Sequence, residues 1–131
     1  MSDNGVPTDL KVVLSNDEIV RGLKHYRRIA KQDLVRADLA EHPDAFRQHA
    51  EARREVYAHL AGVAEGGTPE EVTRSALELY KGLPFVTGTA PETHADVKGR
   101  ENALENFFLM IGLEPKIRRT VRSLRAPLRS A

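Results

Sequence analysis

Apolar residues recur at intervals of three and four from Ile19 to Ala37: Ile19, Leu23, Tyr26, Ala30, Leu34 and Ala37. At about 100° per residue these side chains fall on one face of a helix, whereas a strand would send them to opposite faces. Ser15-Asn16-Asp17-Glu18 stands just upstream. This is a capping box, in which the serine oxygen accepts from the Glu18 amide while the glutamate carboxylate reaches back. The chain therefore commits early to a long amphipathic helix whose apolar face needs a partner. The pattern runs to about Ala40, and Pro43 forbids its simple continuation.

The same signals recur downstream. Pro43 and Asp44 open a second helix with the stripe Phe46, Ala50, Tyr57, Leu60 and Ala64, and Gly66-Gly67 ends it, as a left-handed cap would. Thr68-Pro69-Glu70-Glu71 opens a third, carrying Val72, Ala76, Leu79, Tyr80 and Leu83. Residues 84–92 read as a loop that buries Phe85 and Val86. Thr93 to Asp96 supply a cap for a fourth helix with Val97, Leu104, Phe107, Phe108 and Ile111 inside. A fifth runs from Pro115 to about Arg125. Residues 1–9 show no period and read as a disordered start, while Leu10 to Leu14 make either a short strand or an extended lead-in.

With 131 residues, one domain covers residues 1–131. Short connections favour antiparallel neighbours, so the fold expected is all-α, an antiparallel bundle of four to five helices. If the first two helices fold back near position 42, Tyr26 meets Tyr57 and Asp33 meets Arg53. That ion pair accounts for an arginine inside an apolar stripe.

Several functions are excluded by composition. No cysteine is present, which removes disulfides, thiolate metal sites and cysteine nucleophiles. The opening residues lack a secretory pattern. The longest apolar run, Phe107 to Ile111, is five residues, against about 20 needed to cross a bilayer. A cytoplasmic protein that makes no use of membranes is expected. Gly66-Gly67 lacks the Lys-Ser/Thr of a phosphate loop, and no GxSxG motif occurs. The five histidines form no inward-facing set with metal-ligand spacing, so neither metal nor cofactor is expected.

Charge is the feature that points to function. Residues 1–40 sum to +1, 41–114 to −6 and 115–131 to +6. In the basic C-terminal helix and tail, 115–131, Lys116, Arg118, Arg119, Arg122, Arg125 and Arg129 have no acidic neighbour. Guanidinium forks suit phosphate or carboxylate, so this end reads as a surface for nucleic acid or an acidic protein. Arg118, Arg122 and Arg125 are spaced to share one helix face, and Gly112 to Pro115 makes a short turn of helix-turn-helix kind. The alternative is that Ile117, Val121 and Leu124 dock this helix while its arginines meet the protein's own acidic middle. A second stripe, Arg21, Lys24, Arg28 and Lys31, lies on the outer face of the first helix, and no acid occurs from Arg21 through Gln32. Val35 and Leu39 continue that face as apolar residues, so a second copy covering them, most simply as a homodimer, is expected.

Arg54 and His59 form Arg-x4-His, which resembles the active-site motif of HEPN-type ribonucleases over six residues. Glu55 stands where that family usually carries Asn, Asp or His. The resemblance implies two subunits joining their motifs to cleave RNA, with histidine handling the proton and arginine the phosphate charge. The sequence thus favours a non-enzymatic regulatory or adaptor module acting through its basic C-terminal helix. A small HEPN-like ribonuclease and a purely structural homo-oligomer are the alternatives.

Overall fold

The computed structural model describes residues 5–7, 9–86 and 90–127. Among these, the chain forms α1 (Asn16–Val35), a 3-10 turn (Ala37–Leu39), α2 (Pro43–Gly66), α3 (Pro69–Gly82), α4 (Ala95–Ile111) and α5 (Pro115–Ser123). The all-α bundle is as expected. The Leu10–Leu14 lead-in forms no strand, and one isolated bridge joins Phe85 to Pro127 among the described residues.

The capping box forms as the sequence dictates: Ser15 Oγ accepts from the Glu18 amide at 3.2 Å, and the Ser15 amide donates to Glu18 Oε1 at 3.0 Å. Thr68 Oγ1 likewise accepts from the Glu71 amide at 3.1 Å. α1 stops at Val35 rather than near Ala40. The Arg36 amide splits between Gln32 and Asp33 carbonyls, and the next hydrogen bonds span three residues, tightening the chain before Pro43.

The α1–α2 hairpin has the register expected. Tyr26 stacks on Tyr57 with ring centroids 5.2 Å apart, and Arg53 Nη2 meets Asp33 Oδ2 at 2.8 Å. α2 is the central helix, packed against α1, α3 and α4. Its buried positions are largely alanine (Ala45, Ala50, Ala52, Ala61, Ala64), which lets neighbours approach closely. A close approach to the α2 backbone is made at Gly99 of α4, where an added Cβ would sit 2.5 Å from the His49 carbonyl oxygen. α4 places Val97, Leu104, Phe107, Phe108 and Ile111 in the core, and α5 adds Val121.

Of the expected disordered start, residues 1–9, residues 1–4 and 8 lie outside the described residues, while Val6 is 1% exposed and the Pro7 carbonyl accepts from Arg74 Nη1 at 2.8 Å. Val6 and Leu10 pack against the core. Three local expectations are corrected. Gly67, which caps α2, is extended at φ −142° rather than left-handed. Its carbonyl and that of Ala64 accept from the Asn16 side-chain amide, which closes the end of α2 without a left-handed turn. In α3, Leu77 is buried while Leu79 lies 40% exposed. At the start of α4, His94 is the cap residue, in the left-handed region at φ 49°, and no side chain caps the helix.

Candidate nucleic-acid interface

α5 ends at Ser123, short of Arg125. The chain then turns, and Arg125 enters the protein instead of continuing an outer face. Its Nε donates to the Leu83 carbonyl at 2.9 Å, and its Nη2 donates to the Pro84 carbonyl at 2.8 Å and to Glu101 Oε2 at 2.7 Å. The guanidinium lies over the rings of Tyr80 and Phe85, 5.1 and 5.0 Å from their centroids. A buried cation needs pairing of this kind, because an unpaired one would be expelled or discharged, although Nη1 is itself buried without a hydrogen-bond partner among the described residues.

Its two neighbours face the same way. Arg122 Nη2 lies 3.7 Å from Glu101 Oε1, and Arg118 Nη1 lies 3.4 Å from Glu105 Oε1. The helical spacing does gather Arg118, Arg122 and Arg125 on one side, but that side meets α4. Arg125 is therefore corrected from a partner-binding residue to a structural one. Arg118 and Arg122 are partly neutralised at home, so α5 does not display this row to a groove. Lys116 and Arg119 are exposed and have no ion pair among the described residues. Arg129 lies outside the described residues.

The acids responsible, Glu101 and Glu105, stand one turn apart on α4 and were not singled out from the sequence. Their spacing and the acidic middle of the chain were the available signals. Burial raises the Glu101 carboxyl, but the hydrogen bond and charge of Arg125, helped by Arg122, more than reverse this and hold it below its ordinary range. Glu105 is pushed up, first by burial and then by its hydrogen bond to Glu101 and that residue's negative charge.

The α1 stripe remains open. Arg21, Lys24, Arg28 and Lys31 are all exposed, as are the flanking His25 and Arg27. Arg21 Nε reaches only the Asp17 carbonyl, at 3.4 Å, and Lys24 meets Glu65 at 3.4 Å between two half-exposed side chains. Such a contact is worth little in water and exchanges readily. Arg27, Arg28 and Lys31 have no ion pair among the described residues. From Arg21 to Lys31 the helix rises about 15 Å, a length over which it displays cations to solvent. Val35 and Leu39, 85% and 88% exposed, lie beyond this stripe and are left uncovered among the described residues.

Arg54 and His59 are both exposed on α2. Five residues of helix separate them by about 140° around the axis, and no hydrogen bond joins them.

The fold and the exposed charge define an all-α bundle with one long cationic outer helix. Known proteins are similar to it over most of its length. "Transcriptional regulator MntR" of Escherichia coli O157:H7 is 27% identical over 122 residues, covering 88% of this chain and 79% of that protein. The protein of the same name in Escherichia coli O6:H1 (strain CFT073) has the same identity and coverage. No family profile and no solved structure matches the chain. Among the described residues, no helix is long and apolar enough to cross a membrane.

Proposed function

We propose that this chain is a non-enzymatic, transcription-regulating helical module of the cytoplasm that binds nucleic acid through the outer face of α1. The observation that carries this reading is the cationic row Arg21, Lys24, Arg28 and Lys31, displayed on the exposed side of α1 in a stretch of sequence without acids, with Lys24 alone of the four in a loose surface ion pair among the described residues. Such a row neutralises backbone phosphates and releases their counterions, giving affinity that falls steeply with salt. The similarity to proteins named as transcriptional regulators supports the regulatory part of the reading. Lys116 and Arg119 on α5 supply a smaller accessory surface, because Arg125 is committed to the interior.

Fluorescence anisotropy with labelled duplex DNA, duplex RNA and an acidic peptide, each across a salt series, tests this. Salt-sensitive nucleic-acid binding that is lost in an Arg28→Gln/Lys31→Gln variant supports it. Equal binding by that variant, or preference for the peptide, overturns it.

The exposure of Val35 and Leu39 favours a homodimer formed over the end of α1. A solvent-facing apolar pair of this kind is stabilised when a second copy covers it. Light scattering should report a dimer that Val35→Glu/Leu39→Glu converts to monomer. A wild-type monomer at the concentration used for binding rules it out.

A further inference from the structure

A cavity of about 470 Å³ opens between the α1–α2 turn, the first turns of α2 and the start of α4. Its apolar wall is Ala40, Ala45, Phe46 and Pro91, and its polar wall is His49, Arg53 and Lys98. The volume lies in the range of small-molecule sites, and an apolar wall with a few convergent polar groups is their usual make-up. The charged groups are sorted by depth. The Arg53 side chain is only 11% exposed, and His49 and Lys98 are half-buried, so the deep wall is cationic. The acids stand at the rim: Glu41 is exposed, and Glu92, 61% exposed, is occupied by His42 Nδ1 at 3.0 Å. Asp33 takes one end of Arg53 through Nη2, and His49 Nδ1 accepts from Arg53 Nε at 3.0 Å.

This arrangement leaves particular donors over. With Nε and Nη2 of Arg53 engaged, its Nη1 has no protein partner among the described residues. His49, holding Nδ1 as an acceptor, carries its proton on Nε2. Lys98 Nζ spends one donor on the Ala90 carbonyl at 2.8 Å and keeps two. The field at His49 is positive: after burial, the Arg53 charge contributes most to lowering its pKa, Lys98 adds to it, and Asp33 only partly opposes. Phe46, 36% exposed, offers a ring face at the mouth.

We infer that this cavity binds a small organic monocarboxylate with a flat apolar body, its carboxylate taken by Lys98, His49 Nε2 and Arg53 Nη1 and its body laid against Phe46 and the alanines. A cation is disfavoured by the deep wall, and a multiply charged anion by the single net charge that remains once Asp33 has paired with Arg53. An uncharged apolar molecule would cover these donors without satisfying them. The inference does not depend on the nucleic-acid reading, because it is tested by binding in the absence of nucleic acid.

The probe is phenylacetate, titrated into the full-length protein and followed by amide and histidine-ring NMR shifts. Phenylacetamide, acetate and inorganic phosphate serve as comparisons. Saturable shifts at Ala45, Phe46 and His49 are expected with phenylacetate, with affinity at least about tenfold above that of phenylacetamide and acetate. Lys98→Gln removes the charge, and Phe46→Ala removes the body contact while leaving the charge. Each should weaken phenylacetate about tenfold, with the thermal midpoint held within a few degrees. Arg28→Gln, on the outer face of α1, should change nothing. Equal binding of the amide, equal shifts from phosphate, or an affinity unmoved in both pocket variants would overturn the inference.

Discussion

Arg125 Nη2 lies 2.7 Å from Glu101 Oε2, with the arginine side chain wholly buried and the glutamate 25% exposed. One guanidinium thus ties the end of α5 to α4 and, through the Leu83 and Pro84 carbonyls, to the end of α3. Removing the arginine leaves the two carbonyls without their donor and Glu101 with only the looser contact to Arg122. Arg125→Ala is expected to cost about 3 kcal/mol in urea denaturation, whereas Arg119→Ala on the exposed side of α5 should stay within about 0.5 kcal/mol. Arg125→Lys should recover little, since an ammonium lacks the fork that spans two carbonyls and a carboxylate. Equal effects at 119 and 125 would contradict this packing.

Gly99 sets the distance between α2 and α4. Because the atom facing it is the backbone oxygen of His49, which cannot rotate aside, Gly99→Ala should destabilise by about 1–3 kcal/mol. Gly62, on the exposed side of α2 with nothing within 4 Å, is the matched control. Gly62→Ala should stabilise by about 0.5–1 kcal/mol through better helix propensity. Denaturation midpoints of the two variants should move in opposite directions.

His49 gives the protein a pH dependence with a definite sign. Burial, then the charges of Arg53 and Lys98, hold its folded pKa below 6.5. The unfolded chain therefore binds the proton more readily. The stability associated with the neutral ring is present above pH 6.5 and is lost as pH falls from there through the folded value. His49→Asn keeps an acceptor for Arg53 Nε but removes the titration. Its stability should fall less than the wild type's between pH 6.5 and pH 5, measured by denaturant midpoints.

The salt dependence of nucleic-acid binding separates the two basic surfaces. Each phosphate contact contributes about 0.9 to the slope of log affinity against log salt. Arg28→Gln/Lys31→Gln should lower that slope by about 1.8, while Lys116→Gln/Arg119→Gln should lower it less. The reverse order would move the main interface to α5.

The helices were legible because their determinants are local. Ser15 with Glu18, Thr68 with Pro69, and Pro115 act on backbone groups within one turn, so their effect is written in neighbouring residues. The α1–α2 register was legible for a related reason, since a short connection leaves two apolar stripes one way to meet, and it carried the Asp33–Arg53 pair with it.

The direction in which the basic end faces belongs to another level. The spacing of Arg118, Arg122 and Arg125 is the same whether they face water or α4, and only the docking of α5 brings Glu101 and Glu105 beneath them. The carboxylate cavity is likewise built from residues as far apart as Ala40 and Lys98. Local chemistry decided which segments are helices and where charge resides along each. Tertiary packing decided which charges are consumed inside and which remain for a partner, because pairing depends on distances between helices that no short stretch of sequence contains.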